Sequence, residues 1–169
     1  MAAVLALIVE EPEPAVLFTE RATTLRRHPG EVSFPGGIRE PADEDLLATA
    51  LRETREEIAL DPRLPEILGA LPPVHTVVSG VLVTPFVGVV VTLPPLEPSR
   101  AEIARILTVP LVTLAAIEEE RELQRDAGRV VKGWWYETGD ATIWGATGFM
   151  LHRLLELARS ETAWLIPTP

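Results

Sequence analysis

The chain has 169 residues, with 15 Lys and Arg against 25 Asp and Glu, a formal net charge of −10 at pH 7 and no cysteine. That length suits one domain with a substantial core. The acidic balance argues against nonspecific binding to nucleic acid or anionic membranes, and the absence of thiols excludes disulfides and leaves a thiolate metal site without support.

Residues 2–9 and 15–19 read as strands on either side of an acidic, proline-containing turn. The first apolar run is too short and wrongly flanked for a signal peptide, and no run along the chain is long enough to span a membrane. Next comes Phe34-Pro35-Gly36-Gly37. The paired glycines can take backbone angles closed to other residues, so the chain can turn sharply and bring a carbonyl close to the next element. A helix is then expected, because Leu46, Leu47, Ala50, Leu51, Thr54 and Ile58 recur at three- and four-residue spacing. Asp43, after Pro41, is the expected N-cap, with Glu44 and Asp45 in the first turn at the positive end of the helix dipole.

Further along, residues 81–93 form an apolar, β-branched strand in which Pro85 and Gly88 predict a bend or bulge. The proline-rich segment 93–98 reads as a rigid connection rather than a domain linker, since strand patterns resume after it. Strands are expected at 103–109 and 129–137, and a helix over 142–160. The charge run 118–122 reads as a solvated helix end or loop. Trp134, Trp135 and Tyr136 are read mainly as core-filling strand aromatics, although aromatics can also stack on a base. Trp144 and His152 are read as packing and surface residues. Together these elements predict a mixed sheet covered by helices.

The predicted helix carries the run Arg52-Glu53-Thr54-Arg55-Glu56-Glu57. At about 100° per residue and with Ala50 as zero, Glu56, Glu53 and Glu57 fall at roughly 240°, 300° and 340°, beside or inside the apolar arc. None of the three is expected to face outward. Burying unpaired carboxylates is costly, so a positive partner is required. A hard divalent cation such as Mg²⁺ takes oxygen ligands and keeps several waters, leaving room for substrate phosphates, and three Glu with the Gly37 carbonyl would suit it. The helix alone admits a second reading, a solvated charge face with an i,i+4 pair between Arg52 and Glu56.

The pattern Gly-Gly, spacer, Arg-Glu-x-x-Glu-Glu resembles the Nudix box, the signature of hydrolases of nucleoside diphosphates linked to another moiety. Fourteen residues separate Gly37 from Arg52, one more than the usual spacing, and Ala59 stands where the box normally has Gly. The longer spacer, with Glu40-Pro41 and the run from Thr49 to Thr54, is similar to the coenzyme A diphosphatase branch. So is the preceding stretch, Leu17-Phe18-Thr19-Glu20-Arg21-Ala22 and then the run from Arg26 to Gly37. The likeness covers about residues 16 to 60, with weaker echoes at Ser79-Gly80, Pro85-Phe86, Val109-Pro110-Leu111 and Ile143-Trp144-Gly145.

The resemblance implies a single Nudix domain over 1–169, an α/β/α sandwich with a mixed β-sheet between helices. It implies Mg²⁺ or Mn²⁺ held by Glu53, Glu56, Glu57 and the Gly37 carbonyl, with catalysis by Glu53 and Glu57. The substrate would be coenzyme A or a derivative, cleaved to 3′,5′-ADP and 4′-phosphopantetheine. Related substrates such as ADP-ribose, NADH or a dinucleoside polyphosphate, or a nucleotide-sensing role without hydrolysis, are the alternatives. Arg21, Arg26, Arg27 and His28 would hold phosphates, with Thr76 and Ser79 lining the pocket beside His75. The competing readings are that these Arg side chains pair with Glu20 and Glu31, that His28 is fixed by Pro29, and that 75–79 is a polar turn. Arg52 would orient the acids by pairing with a neighbouring carboxylate. The general base would be Glu102 or one of Glu118, Glu119 and Glu120. A monomer or homodimer acting on a small molecule, without nucleic acid or membrane, is expected. The compartment is expected to be the cytoplasm, because the absence of cysteine fits a reducing environment and Ile166-Pro167-Thr168-Pro169 carries no peroxisomal address.

Overall fold

The first strand, β1 (Ala2–Val9), is apolar throughout because both of its faces are covered. Side chains alternate across a strand, so Ala3, Leu5, Leu7 and Val9 enter one hydrophobic cluster while Ala2, Ala6 and Ile8 enter another. A computed structural model describes residues 1–25, 28–76, 80–124 and 130–160. Within them β1 is central: it pairs antiparallel with β2 (Ala15–Arg21) and, beyond the two-residue β3 (Val32–Ser33), with β4 (Gly36–Ile38).

The box helix, α1 (Leu46–Ile58), lies over one face of the sheet, where Ala50 and Ile58 join Leu5, Leu7 and Leu17. Its N-cap is Asp45, not Asp43: the Asp45 carboxylate accepts the Ala48 N–H at 2.7 Å. Asp43 is instead drawn inward to Thr49 and Arg52, and Glu44 and Asp45 precede the first turn rather than forming it.

After α1 the chain forms β5 (Glu66–Ala70), β6 (Val74–His75) and β7 (Leu82–Val90). The last runs parallel to β1 with Ala2 opposite Val83 and Val9 opposite Val90, so the sheet is mixed. The irregularity expected within β7 falls on its partner, between Ile67 and Gly69 of β5. Gly88 serves packing instead, since a Cβ there would press to 3.2 Å from Leu5 and 3.3 Å from Ile67. An eighth strand, β8 (Ile103–Pro110), covers the far edge of β2 and leads into the short α2 (Leu111–Ala116).

A separate three-stranded sheet comes next, made of β9 (Glu118–Gln124), β10 (Val130–Glu137) and β11 (Thr142–Ile143). The run 118–122 is therefore a strand and not a helix end or loop, because its carboxylates lie in register opposite β10, with Glu118 facing Tyr136 and Glu120 facing Trp134. The final helix, α3 (Gly145–Ser160), starts three residues later than expected, since Thr142 and Ile143 pair with Glu137 and Tyr136. Met150, Leu151, Leu154 and Leu155 of α3 share a cluster with Ile8, Val16 and Phe18, covering the opposite sheet face from α1. The result is an α/β/α sandwich. No helix among the described residues is long and apolar enough to cross a membrane.

Candidate active site

The end of a helix leaves carbonyls without intrahelical partners, and at the end of α1 their satisfaction builds the site. Ala59 takes the left-handed conformation (φ 59°, ψ 25°) and returns its N–H to the Arg55 carbonyl at 2.9 Å. The loop before β8 supplies two further donors, Glu97 N–H to Ile58 O at 3.2 Å and Ser99 N–H to Glu57 O at 2.8 Å. The Ser99 carbonyl then accepts from Glu102 and Ile103, and the Glu102 carbonyl accepts the Ala22 N–H at 2.7 Å. Glu102 is thereby pinned between the end of α1 and the end of β2, and its charge acts on both Glu53 and Glu57.

The glycine turn meets the helix from the other side. At Gly36 (φ 150°) a Cβ would lie 2.3 Å from the Ala3 carbonyl oxygen, and at Gly37 one would lie 2.4 Å from the Glu53 carboxyl carbon. Only a residue without a side chain permits this approach. The Gly36 N–H donates to Glu57 Oε2 at 3.3 Å.

Glu57 is only 5% exposed. Burial pushes its carboxyl from an ordinary 4.5 up to about 8; the Gly36 N–H and Arg21 act against the rise, and the charges of Glu53 and Glu102 add to it. Glu53 is also raised, first by burial, with Glu56 and Glu102 adding and Arg52 opposing. Glu56 differs: its side chain is 58% exposed, so the expectation that all three acids avoid solvent fails for it. As the most distant of the three from the apolar arc, it rises out of the sheet–helix interface.

Arg52 gathers this group. Its Nε and Nη2 grip the two Asp43 oxygens at 2.8 and 3.0 Å, Nη1 reaches Glu53 and Glu56 at 3.1 Å each, and Nη2 also meets the Ile38 carbonyl at 3.2 Å. Asp43 is buried and accepts further bonds from Thr49 Oγ1 at 2.9 Å and Glu40 N–H at 2.8 Å. The Arg52 fork, together with those donors, holds the Asp43 carboxyl well below the usual carboxylate range. Sequence reasoning missed this anchor. The signal available was Thr49 and Arg52 at i,i+3 on one side of the helix, both seeking an acid from the preceding loop.

Of the other expected residues, Arg21 stands at the end of β2, where its charge reaches Glu57. Its Nε is buried with no hydrogen-bond partner among the described residues. His28 (φ 55°) pairs with Glu31 at 2.7 Å. Thr76 Oγ1 exchanges bonds with the Val81 carbonyl and N–H, both at 3.0 Å, beside the exposed His75. Arg26, Arg27 and Ser79 lie outside the described residues.

Glu118, Glu119 and Glu120 are engaged elsewhere. Glu118 accepts from Tyr136 at 2.7 Å and Arg159 at 2.9 Å and contacts His152 at 3.0 Å, while Glu119 pairs with Arg121 and Glu120 with Lys132. Trp134 stacks on His152 with ring centres 3.6 Å apart, and Trp135 on Trp144 at 6.0 Å, so these rings pack the second sheet against α3 and the residue before it.

As arranged, no three His, Asp or Glu side chains among the described residues converge closely enough to hold one ion. The chemistry of the donor set nevertheless fits a hard cation: Glu53 and Glu57 are both short of positive charge, Glu56 adds its charge to Glu53, the Gly37 backbone packs against the Glu53 carboxylate, and Arg52 is the cation among the described residues that contacts Glu53 and Glu56.

The sequence profile of the NUDIX domain matches residues 1–150. The chain is 39% identical over 161 residues to the uncharacterized Nudix hydrolase NudL of Photorhabdus laumondii, a match spanning 92% of this chain and 83% of that one. In fold it is similar to a Nudix hydrolase of M. smegmatis, RenU (TM-score 0.64, 20% identity, 96% of this chain and 88% of that). It is similar also to the NUDIX domain of Shewanella oneidensis NrtR complexed with ADP ribose (TM-score 0.58, 16% identity, 96% and 87%).

Proposed function

Because this chain belongs to the Nudix hydrolase family, whose members act on nucleoside diphosphate derivatives and generally use a divalent metal ion, we propose that its substrate is coenzyme A or an acyl derivative. Water attacks a phosphorus of the diphosphate, the bridging P–O bond breaks, and 3′,5′-ADP and 4′-phosphopantetheine leave. The observation that carries this reading is the meeting of two motifs at one carboxylate. Glu57 of the box receives the Gly36 N–H at 3.3 Å and the field of Arg21 from the stretch that precedes the box.

Glu53, Glu56, Glu57 and the Gly37 carbonyl would hold Mg²⁺ or Mn²⁺. When bound, that ion supplies positive charge against the diphosphate and acidifies water. The protein's own groups do the rest. Arg52, itself clamped by Asp43, orients Glu53 and Glu56. Glu102 is the proposed general base, since it is exposed, close enough for its charge to bear on both acids, and free of the network that engages Glu118. Arg21, whose Nε has no partner among the described residues, would take a phosphate oxygen, and Arg26, Arg27 and His28 the ribose 3′-phosphate, through charge-assisted bonds. Thr76 and Ser79 would line the pocket.

Purified protein with coenzyme A and Mg²⁺ or Mn²⁺ should release 3′,5′-ADP, detected by chromatography, and a Glu57→Gln variant should not. Dephospho-coenzyme A, ADP-ribose and NADH serve as competitors. Preferential, Glu57-dependent turnover of ADP-ribose or NADH would keep the chemistry and replace the substrate. Binding without turnover under saturating metal would make the protein a nucleotide sensor.

A further inference from the structure

Alternation along β2 separates two environments at one strand end. Leu17 belongs to the cluster under α1, and the charge of Arg21 reaches Glu57 on that side. Val16 and Phe18 belong to the cluster under α3, and Glu20 points the same way, to Arg105. On this second side a cleft of about 640 Å³ opens between the 29–32 segment and the turn joining β10 to β11, within the range of small-ligand sites. Arg105 forms its brace, bonding Glu20 and Asp140 at 2.5 Å each and so tying the large sheet to the small one.

The lining has a definite chemistry. Glu20, Glu31, Glu137 and Asp140 border the cleft, and the basic side chains bonded to them among the described residues are Arg105, Arg121 and His28. Among the described residues, carboxylates outnumber guanidinium groups at this lining, which disfavours a phosphate within the cleft. Trp144, 44% exposed and stacked on Trp135, offers a flat apolar wall. Carboxylates beside an indole suit an uncharged chain whose N–H groups can donate while its methylenes lie on the ring.

Resting on the coenzyme A reading, we propose that this cleft receives the amide-bearing pantetheine arm of the substrate, while the diphosphate stays on the Arg21 side. The cleft begins at Glu20, one residue from Arg21 on the same strand, so in this proposal a substrate held by its diphosphate at the acids would reach the cleft by passing round the end of β2. Trp144 is then a specificity residue for the leaving arm.

The test compares coenzyme A with the methyl ester of adenosine 3′-phosphate 5′-diphosphate, which keeps the nucleotide and diphosphate but replaces the arm by a methyl group. Trp144→Ala should lower the ratio of kcat/KM for coenzyme A over the ester about tenfold, acting through KM, as expected for one lost aromatic contact. Thr142→Trp, which fills the cleft from an exposed strand position, should lower the same ratio. In addition, pantetheine alone should quench wild-type tryptophan fluorescence saturably and fail to do so in Trp144→Ala. An unchanged ratio in both variants, or equal losses on the two substrates, would overturn the assignment while leaving the diphosphatase reading in place. A wild-type protein inert toward both substrates would remove that reading and this inference with it.

Discussion

Replacing Glu57 by Gln should stabilise the metal-free protein at alkaline pH while removing its turnover. The buried carboxyl keeps its proton up to about pH 8, against an ordinary 4.5. Between those values the folded state binds a proton that the unfolded state has released. Stability therefore falls as pH rises through the interval, and the whole penalty is present above about pH 8. At about 1.36 kcal/mol per pH unit the displacement corresponds to roughly 4 to 5 kcal/mol. Water penetration and relaxation, which raise the effective dielectric above the dry-protein value, bring the realised figure to about 2 to 3 kcal/mol. Gln keeps the shape and can still accept the Gly36 N–H, but it carries no charge to desolvate.

Thermal unfolding in chelator at pH 5, 7 and 8.5 would read this out. The wild type should lose stability across the series and the variant much less, with the variant higher by about 5–10 °C at pH 8.5 and the curves converging near pH 5. Self-repulsion in a chain of net charge −10 lowers both proteins nearly alike, so the paired difference isolates Glu57. Mg²⁺ at pH 8.5 should raise the wild type more than the variant. A variant no more stable than wild type at pH 8.5, or parallel pH slopes, would refute the argument that burial leaves this acid short of a positive partner.

Three further outcomes are expected. Ala59→Gly should raise Tm by about 2–4 °C without changing turnover, because the left-handed φ of 59° costs a side-chain-bearing residue about 1 kcal/mol; a lower Tm would contradict that cost. Gly37→Ala should reduce kcat about a hundredfold with circular dichroism unchanged, since the new methyl must displace the Glu53 carboxylate 2.4 Å away; wild-type kcat would show that its placement is not needed. Arg27→Ala should raise KM for coenzyme A and leave kcat largely intact if the guanidinium grips a phosphate in both ground and transition states; an unchanged KM would return Arg27 to the role of loop solvation.

Much of the site can be read from helix periodicity alone. Spacing of about 100° per residue puts Glu57 inside the apolar arc and Glu53 at its edge, and both lie in the sheet–helix interface. Arg52 falls on the side where it must pair with acids, and it does. Asp43 is legible as an acid before a helix but not as the buried clamp of Arg52, because its bonds to Thr49 and Arg52 span six and nine residues and depend on how the loop folds back. The acidic run 118–122 misleads for a similar reason: charge marks solvent exposure, whereas strand pairing with 130–137 depends on a partner distant in the chain.

The sequence by itself determined the local chemistry of this protein: a glycine turn, an amphipathic helix bearing acids at fixed angles, strands buried on both faces, and a strongly negative balance. Each arises from residue type and a repeat of a few positions. The tertiary structure decided what those pieces meet. It drew Glu102 to the acids by spending the 97–102 backbone on the open end of α1, set Asp43 under Arg52, and opened a cleft where two sheets abut. Those outcomes depend on long-range closure, in which unsatisfied carbonyls, buried charges and sheet edges find partners that no local pattern specifies.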